Sequence, residues 1–483
     1  MSVQSLPLDR QKTKSNKLSF LFFAFLILIF AVIVEKNIEL PRFILYSAGG
    51  LGLFWLFLNS VSNPRIVLYV LTAYLPFSKI LGGDFGGFMT AFNLTNILTI
   101  MAFLAWFSSA LLKNRKFYTR TTLDVPLLIF MFLGCFSLVK GITYFGTVYA
   151  AELIFPLKRW LTPMLLFFIF FNIVRTKEEI KNITYIIMFV VFVAALMAIR
   201  DYMDVCGFSS LEKSRVGGIA EQPNMLAAFF VYYMFLFAGF MLVYWEKLKY
   251  WFLFLPFLAC FRGIQVTFSR GGYLAFAAAA MVLVFFRSKG LFLFCTLILM
   301  FTALNPQFLP EGIRYRMSST FSNDRVFTQS VDDVVDSSSR NRLEAWKGGI
   351  EIIKEHPLSG IGYGLFPYTI PYYAPVSQMD AHNTYILIAS EMGIPALLAF
   401  LLILFIMLQN ARRLYKSTRD KFCRALSLGF LGSLGGIFVS NIFGGRLDSQ
   451  EVSSYFWILA ALIFKALYIE KEEAKLSKKL VKA

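Results

Sequence analysis

The stretch "NTYILIASEMGIPALLAFLLILFIML", residues 383–408, is long and apolar enough to cross a bilayer, and its single charged residue is Glu391. A helix needs about 20 predominantly apolar residues to span the hydrocarbon core. Comparable segments recur along the chain. The sequence therefore predicts an all-α polytopic integral membrane protein with about 14 transmembrane helices (12–14).

The composition excludes an ordinary water-soluble protein. Hydrophobic residues make up 58% of the 483-residue chain, which includes 55 Phe, and charged residues only 16%, whereas soluble domains average about 25% charged residues. Such a chain has too few polar groups to cover its surface in water. A bilayer removes that demand, because lipid-facing side chains are apolar.

The predicted spans are separated by short polar segments and by one long one. They cover residues 18–34, 43–59, 66–81, 92–112, 125–139, 155–174, 182–199, 224–245, 250–268, 272–286, 290–305, 383–408, 422–443 and 453–469. No small-residue cleavage site follows the first of them, so we expect it to be retained as a span. The resulting organisation is a tail (1–17), eleven spans (18–304), a large loop (305–381), three spans (382–469) and a second tail (470–483).

The positive charges predict the orientation. If the N-terminus is cytoplasmic, more than half of the 47 Lys and Arg residues fall in or beside cytoplasmic segments, as the positive-inside rule requires. We therefore expect both termini in the cytoplasm and the large loop on the outer side of the membrane. The net charge of +18 is spread over many short loops rather than one face, which does not favour a nucleic-acid partner.

The large loop contains one amphipathic segment, "NRLEAWKGGIEIIKEHP" (341–357). Its apolar residues recur at helical spacing and Pro357 ends the pattern; they are Leu343, Trp346, Ile350 and Ile353. We expect a helix that lies on the outer surface of the membrane.

Four arginines on or near the predicted outer face are candidates for function: Arg215, Arg262, Arg270 and Arg342. A charged group within or capping a span is costly and tends to mark a substrate path. The alternatives are structural. Arg215 and Arg270 suit interfacial anchors, Arg262 suits an ion pair with a carboxylate, and Arg342 suits a solvated helix end.

Both histidines, His356 and His382, precede the span at 383–408. His382 has the chemistry of a general base at the membrane–water boundary, or it is one of the residues that cap the helix, with Asp380 and Asn383. His356 suits a helix C-terminus, where an imidazolium interacts favourably with the dipole. Glu391, about two and a half turns into the span, is a candidate cavity-facing carboxylate.

Two motifs do not support a cofactor or a metal. "GIGYG" (360–364) resembles part of a dinucleotide fingerprint but follows a helix, and Pro367 and Pro371 interrupt the helix that should follow it. "VDDVVD" (331–336) supplies carboxylates without a fixed ligand spacing and fits a solvated loop. We expect neither a cofactor nor a bound metal.

Four stretches in chain order resemble the O-antigen ligase/polymerase family of bacterial membrane glycosyltransferases with a GT-C-type helical architecture. They are "RVGGIAEQPNMLAAF" (215–229), "TFSRGGYLAF" (267–276), "RLEAWKGGIEIIKEHPLSGIGYGLF" (342–366) and "DAHNTYILIASEMGIPALLAFL" (380–401).

The resemblance implies transfer of a glycan from an undecaprenyl-pyrophosphate carrier to another repeat unit or to the lipid A core. It implies His382 as the base, with Arg215 and Arg270 holding the pyrophosphate and Arg342 contributing to the same site. Asn383 and Tyr385 of the "HNTY" motif join Arg262 and Glu391 as substrate-binding candidates. The resemblance also implies a metal-independent, inverting reaction at the periplasmic face of a bacterial inner membrane. The protein would lie in the lipid bilayer beside other envelope-polysaccharide assembly proteins.

The longer chain and the tyrosine-rich loop favour a polymerase slightly over a ligase. An alternative from another class is a transporter or flippase for a lipid-linked sugar or solute. That alternative predicts ionisable residues near the bilayer midplane and paired broken helices in two halves, whereas the suspicious charges here lie at one face. A scaffold subunit with purely anchoring arginines is a third alternative.

Overall fold

Helices account for all the regular structure in the part of the chain that the computed structural model describes, namely residues 42–81, 93–112, 116–206, 214–308, 337–445 and 447–482. These residues contain no strand, and the expected all-α class is confirmed. The predicted first span, 18–34, and the acidic motif at 331–336 lie outside the described residues.

Fifteen helices of nine residues or more follow one another along the described chain. They are α1 (Arg42–Ser62), α2 (Arg65–Tyr74), α3 (Leu94–Leu112), α4 (Asp124–Phe145), α5 (Ala150–Ile173), α6 (Lys177–Val205), α7 (Pro223–Val243), α8 (Phe254–Val266), α9 (Arg270–Arg287), α10 (Lys289–Leu304), α11 (Ser337–Glu355), α12 (Thr384–Met392), α13 (Ile394–Ser417), α14 (Lys421–Ser440) and α15 (Gln450–Lys482). Internal contacts divide the chain into a first unit, Met1–Leu58, and a second, Asn59–Ala483. In the first unit the described residues, 42–58, are helical, and α2 to α15 belong to the second.

Nine of the described helices are long and apolar enough to span a membrane, and the chain is a multi-pass membrane protein. Four of the fourteen predicted spans correspond to shorter or interrupted helices, and three of these precede the large loop. Residues 66–81 change to a 3₁₀ turn at Leu75–Phe77, where Pro76 lies. Residues 250–268 begin as a 3₁₀ segment and leave α8 only 13 residues long, and α10, at 290–305, has 16 residues.

The span predicted at 383–408 is two helices rather than one. Gly393 separates α12 from α13 and has a φ of 88°, a backbone conformation that residues other than glycine rarely adopt. A Cβ at Gly393 would also come within 2.3 Å of the Leu358 carbonyl oxygen. Pro395 then lies in the first turn of α13, where a missing N–H costs nothing. The membrane-length helix is therefore α13, and α12 is a short helix that precedes it.

The core forms around α7, which packs against α14, α9 and α8. Its side chains from Leu226 to Phe240 are almost all buried. Two glycines let α7 and α14 touch, since a Cβ on Gly239 would lie 2.6 Å from the Gly429 nitrogen and one on Gly429 would lie 2.8 Å from Leu236 Cα. Small residues of this kind let helix backbones approach closely inside membranes, where dispersion contacts replace the hydrophobic effect.

The last helix, α15, is buried along its first half and packs on α5. The Tyr455 hydroxyl donates to the Thr72 carbonyl (2.5 Å), and the Tyr233 hydroxyl donates to the Val452 carbonyl. Both bonds satisfy phenol groups that burial would otherwise leave unpaired. The helix continues to Lys482, through most of the segment predicted as a tail at 470–483.

The described part of the large loop has a small core of its own. The amphipathic helix predicted there is confirmed as α11. The side chains that it buries against the loop are those of Ala345 and Ile352, which join Phe366 and Ile370. Leu343 and Ile350, on the predicted apolar stripe, are 41% and 47% exposed. The helix thus buries one face in its own loop and leaves Leu343 and Ile350 of the predicted apolar stripe exposed, and its expected position on the membrane surface stays a prediction.

Replacement of Gly429 by Ala tests the helix contact at the core. The added methyl group meets the α7 backbone, which cannot rotate away, so we expect the free energy of unfolding to fall by about 1–3 kcal/mol and the melting temperature in detergent to fall with it. Gly290→Ala in α10 is the matched control, because the nearest atom to its new Cβ is 3.9 Å away. Equal melting temperatures for the two variants would contradict this account of the packing.

Candidate functional site

Three helices, α7, α9 and α12, begin at the end of the bundle where α14 finishes. The Thr384 N–H donates to the Asn441 carbonyl (2.9 Å), and the Thr384 hydroxyl bonds the Asn441 side-chain oxygen (2.8 Å). The Asn441 amide in turn donates to the Tyr232 hydroxyl in α7 (3.0 Å). Asn441 is completely buried, and it ties the start of α12 to α14 and α7.

The first turns of α9 and α12 are capped by side chains. Ser269 Oγ accepts from the Gly272 N–H (3.3 Å), and Asn383 Oδ1 accepts from the N–H groups of Tyr385 and Ile386 (3.0 and 3.1 Å). The positive end of the helix dipole makes such N-termini favourable places for anions. Asn383 therefore has a capping role in the structure, as one of the alternatives for this segment proposed.

A left-handed residue lies directly before the N-cap of each of these helices. Glu221, Phe268 and His382 have φ angles of 61°, 49° and 46°, and they are the non-glycine residues with positive φ in the described chain. This conformation is uncommon for residues with a side chain. Backbone strain of this type persists where surrounding contacts enforce it, and it clusters at functional sites.

Arg215 connects the segment before α7 to the turn before α9. Its Nε donates to the Thr267 carbonyl (2.9 Å), and its Nη2 donates to Asn224 Oδ1 (3.0 Å) in the first turn of α7. Arg270 is the first residue of α9, three positions after Thr267. The structure thus brings Arg215 and Arg270 to neighbouring helix N-termini.

A small cavity of about 10 Å³, room for roughly one water, lies between these helix ends. It is lined by Asn224, Ala228, Ser269, Gly271, Gly272, Ser440 and Phe443. Gly271 packs directly on Phe443, since a Cβ there would lie 3.0 Å from the Phe443 Cβ. The absence of side chains at Gly271 and Gly272 keeps the start of α9 close to the end of α14 and to α7.

Trp346 joins the loop helix α11 to this end of the bundle. Its indole N–H donates to the Ala381 carbonyl (2.8 Å), directly before His382, and its ring lies 6.5 Å from that of Phe443. Arg342 is one turn earlier on α11 and is half-buried. Phe443 therefore links the Arg270 side of the site to the His382 side.

His382 has a carboxylate beside its inner ring nitrogen. Its Nδ1 lies 3.7 Å from Asp380 Oδ2, the same oxygen accepts the His382 backbone N–H (3.3 Å), and the side chain is 40% exposed. A carboxylate near Nδ1 favours the tautomer in which Nδ1 carries the proton and Nε2 has the lone pair that a base requires. His356 lies at the end of α11, where its N–H donates to the Ile352 carbonyl (2.9 Å), which agrees with the expected helix-end position.

Arg262 and Tyr385 have other surroundings. Arg262 stacks on the Tyr202 ring of α6 (5.2 Å to the centroid) and donates to Gln265 Oε1 (3.3 Å). Within the described chain these contacts differ from the ion pair with a carboxylate that one alternative predicted. The Tyr385 hydroxyl donates to the Phe438 carbonyl (2.8 Å), and its ring packs on Phe438 and Phe400. Tyr385 thus fastens α12 to α13 and α14.

Glu391 is buried and binds the loop that contains the "GIGYG" motif. Its Oε1 accepts the Phe366 N–H (3.1 Å), and its carbonyl oxygen accepts from the Gly362 N–H (3.0 Å) and from Ser137 Oγ (2.7 Å). A Cβ on Gly360, whose φ is 62°, would lie 2.3 Å from the Glu391 carbonyl carbon. The glycines of this motif therefore let the loop wrap around the end of α12.

A cleft of about 580 Å³ opens on the other side of α12. Its walls come from the end of α4, the start of α5, the loop after α11, α12 and the segment after α14. It is lined by Phe145, Tyr149, Glu152, Leu153, Pro156, Trp160, Tyr363, Gly364, Pro367, Tyr368, Asp380, Thr384, Leu387, Glu391, Gly445 and Asp448. Burial, followed by the nearby Glu391 carboxyl, raises the pKa of the Tyr363 hydroxyl far above its usual value, so this group stays neutral.

The sequence patterns did not identify Asn441 or the cleft. Asn441 lies inside the predicted span 422–443, and a buried amide within a span was an available signal. The cleft brings together residues from positions 145 to 448, and no local pattern joins them.

The helices and this site define a class of protein, namely a multi-pass, all-α membrane protein whose polar site lies where three helices begin. Residues 255–401 match the family model described as O-Antigen ligase, and this match supports the resemblance to the O-antigen ligase/polymerase family. The matched region contains Arg270, Arg342 and His382, whereas Arg215 lies before it. The family points to glycosyltransferase-type activity. No curated protein matches the chain significantly.

The Glu391 carboxyl provides a test of how the loop is held. Glu391→Leu removes the acceptor of the buried Phe366 N–H, so we expect the free energy of unfolding to fall by about 1–3 kcal/mol. Glu391→Gln keeps an acceptor oxygen at the same place and should retain most of the stability. Thermal unfolding in detergent measures both variants, and a Leu variant as stable as the Gln variant would show that this hydrogen bond does not hold the loop.

Proposed function

We propose that the protein transfers a glycan from an undecaprenyl-pyrophosphate carrier to an acceptor sugar, with inversion at the anomeric carbon and without a metal. The observation that carries the proposal is the convergence of Arg215 and Arg270 on the N-termini of α7 and α9, linked through Phe443 and Trp346 to the segment that contains His382. The family match over residues 255–401 supports the same reaction type.

The pyrophosphate leaving group of the proposed reaction accounts for the arginines at the site. Cleavage of the bond between the anomeric carbon and the phosphate oxygen leaves both bonding electrons on the pyrophosphate. Guanidinium groups stay protonated and pair with phosphate oxygens in a forked geometry. Helix N-termini add backbone N–H donors and a favourable dipole. Arg215 and Arg270 would stabilise the charge that develops on the carrier, and Arg342 would contribute from α11.

The acceptor hydroxyl needs a base. In the proposed step the hydroxyl oxygen attacks the anomeric carbon from the face opposite the pyrophosphate, and its proton moves to Nε2 of His382. Asp380, beside Nδ1, would keep the imidazole in the required tautomer and stabilise the imidazolium that forms. One C–O bond forms as another breaks, which inverts the configuration.

The membrane geometry follows the charge distribution of the sequence. We propose that the site faces the periplasm of a bacterial inner membrane, with both termini in the cytoplasm, because this orientation places most Lys and Arg residues inside. A lipid-linked donor requires no nucleotide-binding domain.

Between the two roles of the family, polymerase and ligase, we slightly favour the polymerase. The glycan pattern of a deletion strain separates them: a single repeat unit left on the lipid A core indicates a polymerase, and loss of all repeats indicates a ligase.

The base assignment predicts a large loss of activity for His382→Ala. General-base catalysis contributes about 10²- to 10⁴-fold, so we expect transfer to an added acceptor by purified protein to fall by about that factor, with and without EDTA. His356→Ala is the control, because His356 is exposed at the end of α11, and it should keep full activity. Full activity of His382→Ala would refute the role of His382 as base.

The two ends of α9 provide a matched test of the pyrophosphate site. Arg270→Ala should lower the rate of transfer by about 10²- to 10³-fold, the usual cost of losing one donor to a developing anion, and Arg270→Lys should lower it less. Arg287→Ala, at the exposed far end of the same helix, should leave the rate unchanged. Equal rates for Arg270→Ala and Arg287→Ala would argue against a pyrophosphate at the start of α9.

A further inference from the structure

The cleft beside α12 is chemically unlike the arginine side of the site. The residues around it share no member with those around the small cavity at the starts of α7 and α9. Asp380 and Thr384 line the cleft, and His382 lies between them in the chain. Thr384 bonds Asn441, whose neighbour Ser440 lines the small cavity. The segment that contains His382 therefore lies between the small cavity at the starts of α7 and α9, on the arginine side, and the cleft.

The cleft has the size and the walls of a carbohydrate site. Its volume of about 580 Å³ falls within the range of about 300–1,000 Å³ that is usual for ligand pockets. Tyr149 and Tyr368 are 49% and 46% exposed, so their rings are accessible to a ligand. The Trp160 and Tyr363 rings stack with their planes 29° apart farther in. The C–H faces of pyranose rings carry slight positive charge and stack on the negative faces of aromatic rings.

Carboxylates supply the polar side of the cleft. Among the described residues that line it, Glu152, Asp380 and Asp448 supply exposed or half-buried carboxylates, and none is Lys, Arg or His. Glu391 also lines the cleft, but burial raises the pKa of its carboxyl to about 8, so it contributes little negative charge at neutral pH. Carboxylate oxygens accept hydrogen bonds from sugar hydroxyls and from ammonium groups, and such bonds to a charged acceptor are strong. The same charges repel an anion, which makes the cleft a poor place for a pyrophosphate or an acidic sugar.

We propose that this cleft binds the glycan of the acceptor and selects neutral or amino sugars over sugars that carry carboxylates. The inference rests on the proposed function, because the arginine side is there assigned to the donor's pyrophosphate. The acceptor then approaches His382 from the acidic side and the donor from the basic side. Electrostatic repulsion also keeps the donor's pyrophosphate from occupying the acceptor's place.

Direct binding tests the proposal without requiring turnover. The probes are synthetic oligosaccharides that end in glucose, glucosamine or glucuronic acid, titrated into the detergent-solubilised full chain and followed by calorimetry. We expect the glucosamine and glucose probes to bind at least tenfold more tightly than the glucuronic acid probe. Tyr368→Ala should weaken binding of the glucose probe roughly tenfold, whereas Tyr372→Ala, on the same loop, 83% exposed and outside the cleft, should not.

Two further variants test whether the carboxylates of the cleft select amino sugars over acidic sugars. Glu152→Gln should reduce the difference between the glucosamine and glucuronic acid probes several-fold, and Glu351→Gln, on the exposed face of α11, should leave it unchanged. A glucuronic acid probe that binds wild type as tightly as the glucosamine probe would overturn the selection, as would equal effects of the cleft and control variants.

Transfer assays distinguish this failure from failure of the proposed function. If the cleft holds the acceptor, Tyr368→Ala raises the acceptor KM and leaves the donor KM unchanged. Transfer that proceeds with an unchanged acceptor KM in Tyr368→Ala refutes the cleft assignment alone. Probe binding that follows the expected pattern, without transfer to any acceptor, refutes the proposed reaction and leaves the cleft a sugar-binding site.

Discussion

A buried amide in an apolar bundle must find hydrogen-bond partners, and Asn441 finds them in three helices. Inside a membrane protein no water satisfies such a group, so each unpaired donor or acceptor costs several kcal/mol by typical estimates. Asn441 bonds Thr384, Tyr232 and the Ile437 carbonyl. These bonds set where α12 starts relative to α7 and α14, and the position of His382 follows from them.

The contacts around that amide separate two electrostatic environments. On one side, the starts of α7 and α9 bring together Arg215, Arg270 and the positive ends of two helix dipoles, all of which favour anions. On the other side, the cleft gathers carboxylates and aromatic rings from α5, the large loop and the segment between α14 and α15. A single short segment, from Asp380 to Thr384, borders both. A reaction between an anionic donor and a polyhydroxylated acceptor suits this division.

Much of the fold follows from local composition, and the exceptions have identifiable causes. The long apolar runs predicted most of the membrane-length helices, but Gly393 and the Leu358 carbonyl beside it break the run at 383–408 into two. The spacing of apolar residues predicted α11, and it did not show that a second face of the helix is buried in the loop. Phe366 and Ile370, from the same loop, pack on Ala345 and Ile352 of that face. Among the candidate site residues, Asn383 and Tyr385 have structural contacts that spacing alone could not distinguish from substrate contacts.

The sequence by itself determined that the chain belongs in a membrane, that its helices are many, and that four of its stretches in order resemble the O-antigen ligase/polymerase family. These are properties of composition and short motifs, because hydrophobicity and residue spacing are local. Only the tertiary structure decided that Trp346 and Phe443 join those motifs, that Glu391 holds a loop, and that residues from Phe145 to Asp448 form one cleft. Contacts between residues hundreds of positions apart depend on how helices pack, and packing is settled by shape, glycine positions and buried hydrogen bonds that no single segment contains.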